Sequence, residues 1–535
     1  MRRTGQPCIL LSCMVKYLKI HSAFYAQTVF WGGIDIRDER IGVSFMDRAL
    51  TLLWGLCCSA LMLLIMFFNH ANYASKGDFY NQWVLLFSGL LLIILIYLLL
   101  RRIGPAFPVR SFVLVSGLLF LGLQICMVMA YWFQTGWDSG AIIYLAKELA
   151  LGLPLEAYPI SRYPNNSLIT VFYCQFYELA LKYGLGEWTA YKYILAFQCF
   201  LSFAAAQLTF YGAKMITEDN RLALLAYAVF QLLIGLSPWV SIPYSDALTL
   251  PFPILILVLY LWHRRRSCQP LFALMGFIAY MGYNIKPTVM IVFIAICIYE
   301  LLDLIRCKKL LPTLGLVLSC ALGLALGMLT YSGIISSSGI VIDEEQTYGA
   351  SHFLNMALNE ETMGVYSEDD VHFSESFATA EERSKANLES AKARLEDMGL
   401  SGLILHLSRK MLSTYNDGTF SWAREGFFVV RIPEPPDQIF SPLIRSIYHG
   451  NGRFNRLFLN FEHALWLAVM GLSCLAGFSR KSYKFSVPAF ALLGLVLYFM
   501  LFESRGRYVY IYAPIYILMA ALGLQVLSTR SQKSQ

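Results

Sequence analysis

Trp137-Asp138 stand just beyond an apolar run long enough to cross a bilayer, where the headgroup of a membrane-anchored substrate would lie. As a carboxylate, Asp138 could take a proton from an attacking hydroxyl. As the residue ahead of SGAIIYLAKELALG, it could equally cap an interfacial amphipathic helix. Arg162 opens Arg162-Tyr163-Pro164-Asn165-Asn166. Pro164 forces Tyr163 out of helical geometry, and Asn165 or Asn166 can cap the helix that follows. The Arg162 guanidinium suits either a phosphate oxygen or ordinary snorkelling toward headgroups.

Further along, Pro243-Tyr244-Ser245-Asp246 fills a loop of a few residues, for which a plain turn is a sufficient account. Lys286, in Tyr-Asn-Ile-Lys-Pro-Thr, is harder to explain by turn chemistry, and its ammonium could hold a lipid-linked phosphate. Glu503-Ser504-Arg505-Gly506-Arg507-Tyr508 puts two arginines and a glutamate in one short link. The bland reading there is an ion pair at a wet surface, worth little. Together these positions supply one or two carboxylates and up to four cations, an inventory that suits departure of a phosphate from an anomeric carbon.

The elements that must position them are membrane spans. The chain of 535 residues is 57% hydrophobic and 14% charged, against about 25% charged in soluble domains. Its mean hydropathy is +0.55. The formal charge of +7 is no nucleic-acid signature, because the basic residues sit in short clusters between apolar runs. Most of the 12 cysteines lie inside apolar segments without metal-ligand spacing, so neither zinc nor a disulfide framework is implied.

The pattern predicts an all-α polytopic membrane protein with about twelve transmembrane helices, near 49–69, 82–100, 111–133, 188–213, 220–238, 247–263, 270–284, 287–305, 311–335, 458–478, 484–502 and 507–528. Alternate crossings place Arg101, Arg102 and Arg110, then 263–266, 306–309, 480–484 and 530–533, on one side, which the positive-inside rule makes cytoplasmic. The domains expected are a cytoplasmic lead 1–48, two spans in 49–110, a membrane core 111–335 with a first outer loop 134–187, an extracytoplasmic region 336–457, three last spans in 458–528 and a cytoplasmic tail 529–535. Both termini are then cytoplasmic, and the chemistry-bearing loops share the outer face. Within 336–457, residues 381–398 read as a helix stopped by Gly399, and 403–412 as a second helix lying on the surface.

The segments WDSGAIIYLAKEL, SRYPNN, PYSD, NIKPT, HFLNMALNEETMGVY, NDGTFSWAREGFF and ESRGRYVYIYAP, in that order, resemble the GT-C superfamily of polytopic glycosyltransferases. The closer resemblance is to a bacterial group of exosortase-G-associated GT-C enzymes, over residues 111 to 528. The resemblance implies a GT-C-like bundle with juxtamembrane helices and one long extracytoplasmic loop. It also implies an inverting transfer of a sugar from a polyprenyl-phosphate donor to an extracytoplasmic glycan, lipid or protein.

On matching positions, Asp138 would be the general base, and Arg505 and Arg507, with Arg162 and Lys286, would hold the donor phosphate. Many members carry an acidic pair in the first outer loop. Here Ser139 follows Asp138, leaving Glu148 or Glu156 as the second carboxylate. Tyr163, Asn165, Asn166, Tyr244, Asp246, His352, Asn355, Asp417, Trp422 and Glu503 are candidates to contact substrate, though aromatic packing on the bilayer surface accounts for some of them as well. No cofactor is expected. Some members need a divalent ion, but the chain has no clear DxD. The partners implied are the bilayer, the lipid-linked sugar and the acceptor, with no nucleic acid. A transporter or flippase of lipid-linked saccharide is the rival reading, and it would favour charges at mid-span on broken helices.

Overall fold

A computed structural model describes residues 45–68, 79–104, 106–155, 157–266, 268–308, 310–425, 429–479 and 483–533. The expected lead therefore lies outside the described residues up to position 44, as do Glu156 and residues 480–482. The described chain is an all-α polytopic membrane protein. Among the described residues, ten helices are long and apolar enough to span: Phe45–Phe68, Gln82–Leu100, Val109–Tyr131, Glu187–Thr217, Ser245–Arg266, Pro287–Arg306, Leu311–Ser338, Asn455–Phe478, Tyr483–Leu501 and Gly506–Ser528. Two shorter apolar helices, Asn220–Gly235 and Pro270–Tyr283, fill the remaining two of the twelve expected positions. At 1.5 Å per residue these fall short of the roughly 30 Å hydrocarbon core. The first ends in a π turn over Gln231–Gly235, and there Gln124 Nε2 donates to the Gly235 carbonyl at 2.7 Å.

Lipid supplies no hydrophobic drive between helices, so close backbone approach does much of the packing. Gly89 shows how close: a Cβ there would lie 2.0 Å from the Ala464 carbonyl oxygen. Gly523 meets the Leu472 carbonyl in the same way: a Cβ there would lie 1.9 Å from its oxygen.

Outside the spans, Trp137–Ala150, Ala157–Arg162 and Asn166–Lys182 follow the third span. A larger polar layer is built from Ala350–Ala357, Glu368–Glu375 and Ala380–Tyr415. Gly399 does break the last of these, with φ 58° and ψ −173°, a left-handed φ that favours glycine. The second half corrects the expectation of a surface helix. It re-enters helix at once and buries Lys410 to Tyr415. A two-stranded antiparallel pairing of Gln134–Thr135 with Val429–Arg431 was not foreseen, because strands so short carry no readable period.

Candidate active site

The loops between spans converge on a cavity of about 550 Å³. Its wall takes Trp137 and Asp138 from the start of one helix, Arg162, Tyr163, Asn165 and Asn166 from the next turn, and Tyr244, Lys286 and Thr288 from two links between spans. His352, Phe353 and Tyr366 come from the polar layer, and Glu503, Arg505, Arg507 and Tyr508 from the last link. Four cations and two carboxylates thus face one space, from stretches as far apart in the chain as Asp138 and Arg507.

Asp138 is not the N-cap residue. Gly136 holds that position, and Asp138 sits in the first turn of the helix and lines the cavity. The Tyr244 hydroxyl donates to Asp138 Oδ2 at 3.1 Å. Burial, then the Asp138 charge, push the Tyr244 phenol well above its usual range, so it remains a donor. Arg507 lies 5.0 Å over the Tyr244 ring and 4.8 Å over Trp137. The base candidate and a phosphate-binding candidate are therefore joined through one tyrosine. Asn165 takes the N-cap position of Asn166–Lys182 but makes no capping bond with its side chain.

Asp246 does not itself line the cavity but pairs with two residues that do. Its Oδ1 pairs with Lys286 Nζ at 2.7 Å and its Oδ2 accepts from Arg507 Nη1 at 3.0 Å. All three residues are buried, with Asp246 only 1% exposed. The turn reading of this stretch is corrected accordingly: Ser245 begins a helix, and Asp246 in its first turn is the shared counter-ion. Burial lowers the Lys286 ammonium below its ordinary pKa, and Asp246 only partly restores it. The ammonium also sits 4.4 Å over the Tyr508 ring.

Glu503 is buried, not at a wet surface. It accepts from Arg505 Nε and from the Tyr508 hydroxyl, each at 2.8 Å. Burial pushes its carboxyl up, but Arg505, Tyr508 and Arg507 outweigh that and hold it below the usual carboxylate value. The second carboxylate of the wall is therefore Glu503, from the far end of the chain. Among the described residues of the first loop, Glu148 does not line the cavity and no acid besides Asp138 does; Glu156 lies outside the described residues. Arg162 pairs with Glu375 and lies over the Tyr348 ring, so its guanidinium is held by the polar layer.

His352 lines the cavity and is 1% exposed. Asn355, Asp417 and Trp422 do not line it. Asn355 Nδ2 donates to Asn387, Asp417 accepts from the backbone of Thr419 and Ser421, and Trp422 is packed in the core with Nε1 on the Tyr448 carbonyl. Sequence reasoning missed Tyr366, Thr288 and the supporting Glu375, none of which sits in a pattern distinguishable from loop or helix packing. Among the described residues no group of three or more His, Cys, Asp or Glu is placed to hold a metal ion.

A family model described as conserved hypothetical integral membrane protein matches residues 46–527. The chain belongs to this family. The matched stretch contains every residue that lines the cavity. No curated protein and no solved structure matches the chain.

Proposed function

We propose that the protein is an inverting glycosyltransferase that moves a sugar from a polyprenyl phosphate to an extracytoplasmic acceptor. The observation that carries this reading is the cavity itself: one carboxylate, Asp138, faces a wall of Lys286, Arg505 and Arg507 at the ends of the spans. The sequence resemblance to GT-C enzymes supports it independently. In the reaction, Asp138 takes the proton of the acceptor hydroxyl through the oxygen that Tyr244 does not engage. The acceptor oxygen forms its bond to the anomeric carbon from the face opposite the phosphate. The bond from that carbon to the phosphate oxygen breaks, and its electron pair leaves on the lipid phosphate.

Charge grows on the departing phosphate, and preorganised cations in a water-poor site offset it. Arg505 and Arg507 are set for that role because Glu503 and Asp246 fix their side chains before substrate arrives. A loose guanidinium would lose rotamer freedom at the moment of reaction. A cavity lined from the ends of the spans suits a donor whose lipid tail stays in the bilayer and an active site on the extracytoplasmic face.

The test is transfer by purified protein in lipid, with polyprenyl-phosphate sugars and candidate acceptors, comparing the parent with Asp138→Asn. Loss of transfer in the variant supports the assignment. Equal transfer in both removes Asp138 as base, and lipid translocation without transfer supports a flippase instead.

A further inference from the structure

The cations of the cavity are each paired with a carboxylate: Lys286 and Arg507 with Asp246, Arg505 with Glu503, Arg162 with Glu375. Among the buried polar atoms of the wall that make no hydrogen bond are two neutral ones, His352 Nε2 and Thr288 Oγ1. A buried donor or acceptor left unmade is costly, and a ligand that brings neutral hydrogen-bonding groups to this wall would satisfy both.

The protonation of His352 follows from its neighbours. Asn387 Nδ2 donates to the Arg383 carbonyl at 2.9 Å, which fixes the amide orientation, and it donates to Ser374 Oγ at 3.0 Å. Asn387 Oδ1 accepts from Asn355 Nδ2 at 3.1 Å. The Ser374 hydroxyl has one proton to give, and His352 Nδ1 at 2.7 Å is closer than Asn387 Oδ1 at 3.3 Å. Nδ1 is then an acceptor and Nε2 carries the hydrogen. Tyr348 and Phe353 flank the ring, with centroids 4.4 and 5.1 Å away, and hold its plane. Burial lowers the imidazole to about 4, with Arg383 and Arg162 lowering it further against Glu503 and Asp370, so it is neutral at pH 7.

We propose that His352 is a specificity-determining residue: its Nε2–H donates to a hydroxyl or ring oxygen of the sugar borne by the lipid phosphate. The inference rests on the glycosyl-transfer reading and adds which wall reads the sugar. The polar layer outside the spans contacts the saccharide, while Lys286, Arg505 and Arg507 contact the phosphate.

The experiment measures binding of undecaprenyl phosphate and of its glucosyl, mannosyl and arabinofuranosyl forms to parent, His352→Ala and His352→Gln proteins in nanodiscs. The expected result is about a tenfold loss for a sugar-bearing lipid in His352→Ala, no change for undecaprenyl phosphate, and recovery in His352→Gln, whose amide can place a donor near Nε2. Equal loss on both kinds of lipid, or no loss on either, overturns the assignment while leaving glycosyl transfer standing. A parent protein that binds none of these lipids overturns both. Nitrogen-15 histidine spectra give a separate reading without ligand: an Nε2–H tautomer that Ser374→Ala converts to a mixture is expected, and an Nδ1–H tautomer in the parent overturns the proposal.

Discussion

The Tyr244 hydroxyl meets Asp138 Oδ2 at 3.1 Å although the two residues lie 106 positions apart. This bond orients the carboxylate against the cavity, and the same tyrosine carries Arg507 on its ring face. Tyr244 thus joins the proposed base to one of the proposed phosphate-binding residues.

If Asp138 is the base, Asp138→Asn lowers kcat by about 10²–10⁴-fold, the usual worth of a positioned general base, with donor affinity little changed. Tyr244→Phe keeps the carboxylate but frees its rotamer, and its kcat falls by less than that of Asp138→Asn. Single-turnover transfer rates beside donor binding check both. A variant Asp138→Asn with parental kcat sinks the assignment.

Arg505 and Arg507 act as planar forks held by carboxylates, so lysine is not a conservative replacement. Arg507→Lys and Arg507→Ala should both reduce kcat, the alanine variant by about 10²–10³-fold, as for loss of one preorganised donor to a developing anion. Steady-state kinetics on the same donor decide it. An effect confined to KM would show ground-state binding only.

Removing Asp246 leaves two buried cations without their shared counter-ion. Asp246→Ala should cost about 3–5 kcal/mol of stability, whereas Lys286→Met, which leaves Arg507 paired, should cost less. Thermal unfolding in one detergent compares them, and a milder loss in Asp246→Ala than in Lys286→Met contradicts the arrangement.

Lys410 is fully buried and has only carbonyl partners, giving hydrogen bonds to Phe502 O at 2.7 Å and Ala357 O at 3.3 Å. Burial lowers its amine to about 7. The unfolded chain, near the ordinary 10.4, therefore binds more protons than the folded one between these values. Stability contributed through this group must rise with pH from about 7 to 10 and stay flat below. Melting of the parent relative to Lys410→Met across pH 7 to 10 tests this. A difference that falls with rising pH has the wrong sign.

Gly89 has no room for a methyl group beside Ala464. Gly89→Ala should force the helices Gln82–Leu100 and Asn455–Leu475 apart and lose about 1–3 kcal/mol. A parental melting temperature in that variant would show that the spans can separate without loss.

The sequence by itself determined the apolar helices, because a bilayer demands long apolar helices, although two of the twelve runs are too short to span. All twelve expected runs became apolar helices, and Gly399 broke its helix where its freedom at positive φ allowed. It also named most of the residues that meet in the cavity, since charge beside a membrane span is costly enough to be conspicuous. Their pairing was decided only by tertiary structure. That Asp246 answers both Lys286 and Arg507, that Glu503 is buried, and that Asp417 and Trp422 turn away from the cavity depend on which loops the packed helices bring together. Periodicity along one chain records which face of a helix is apolar, not which distant side chain will stand opposite it.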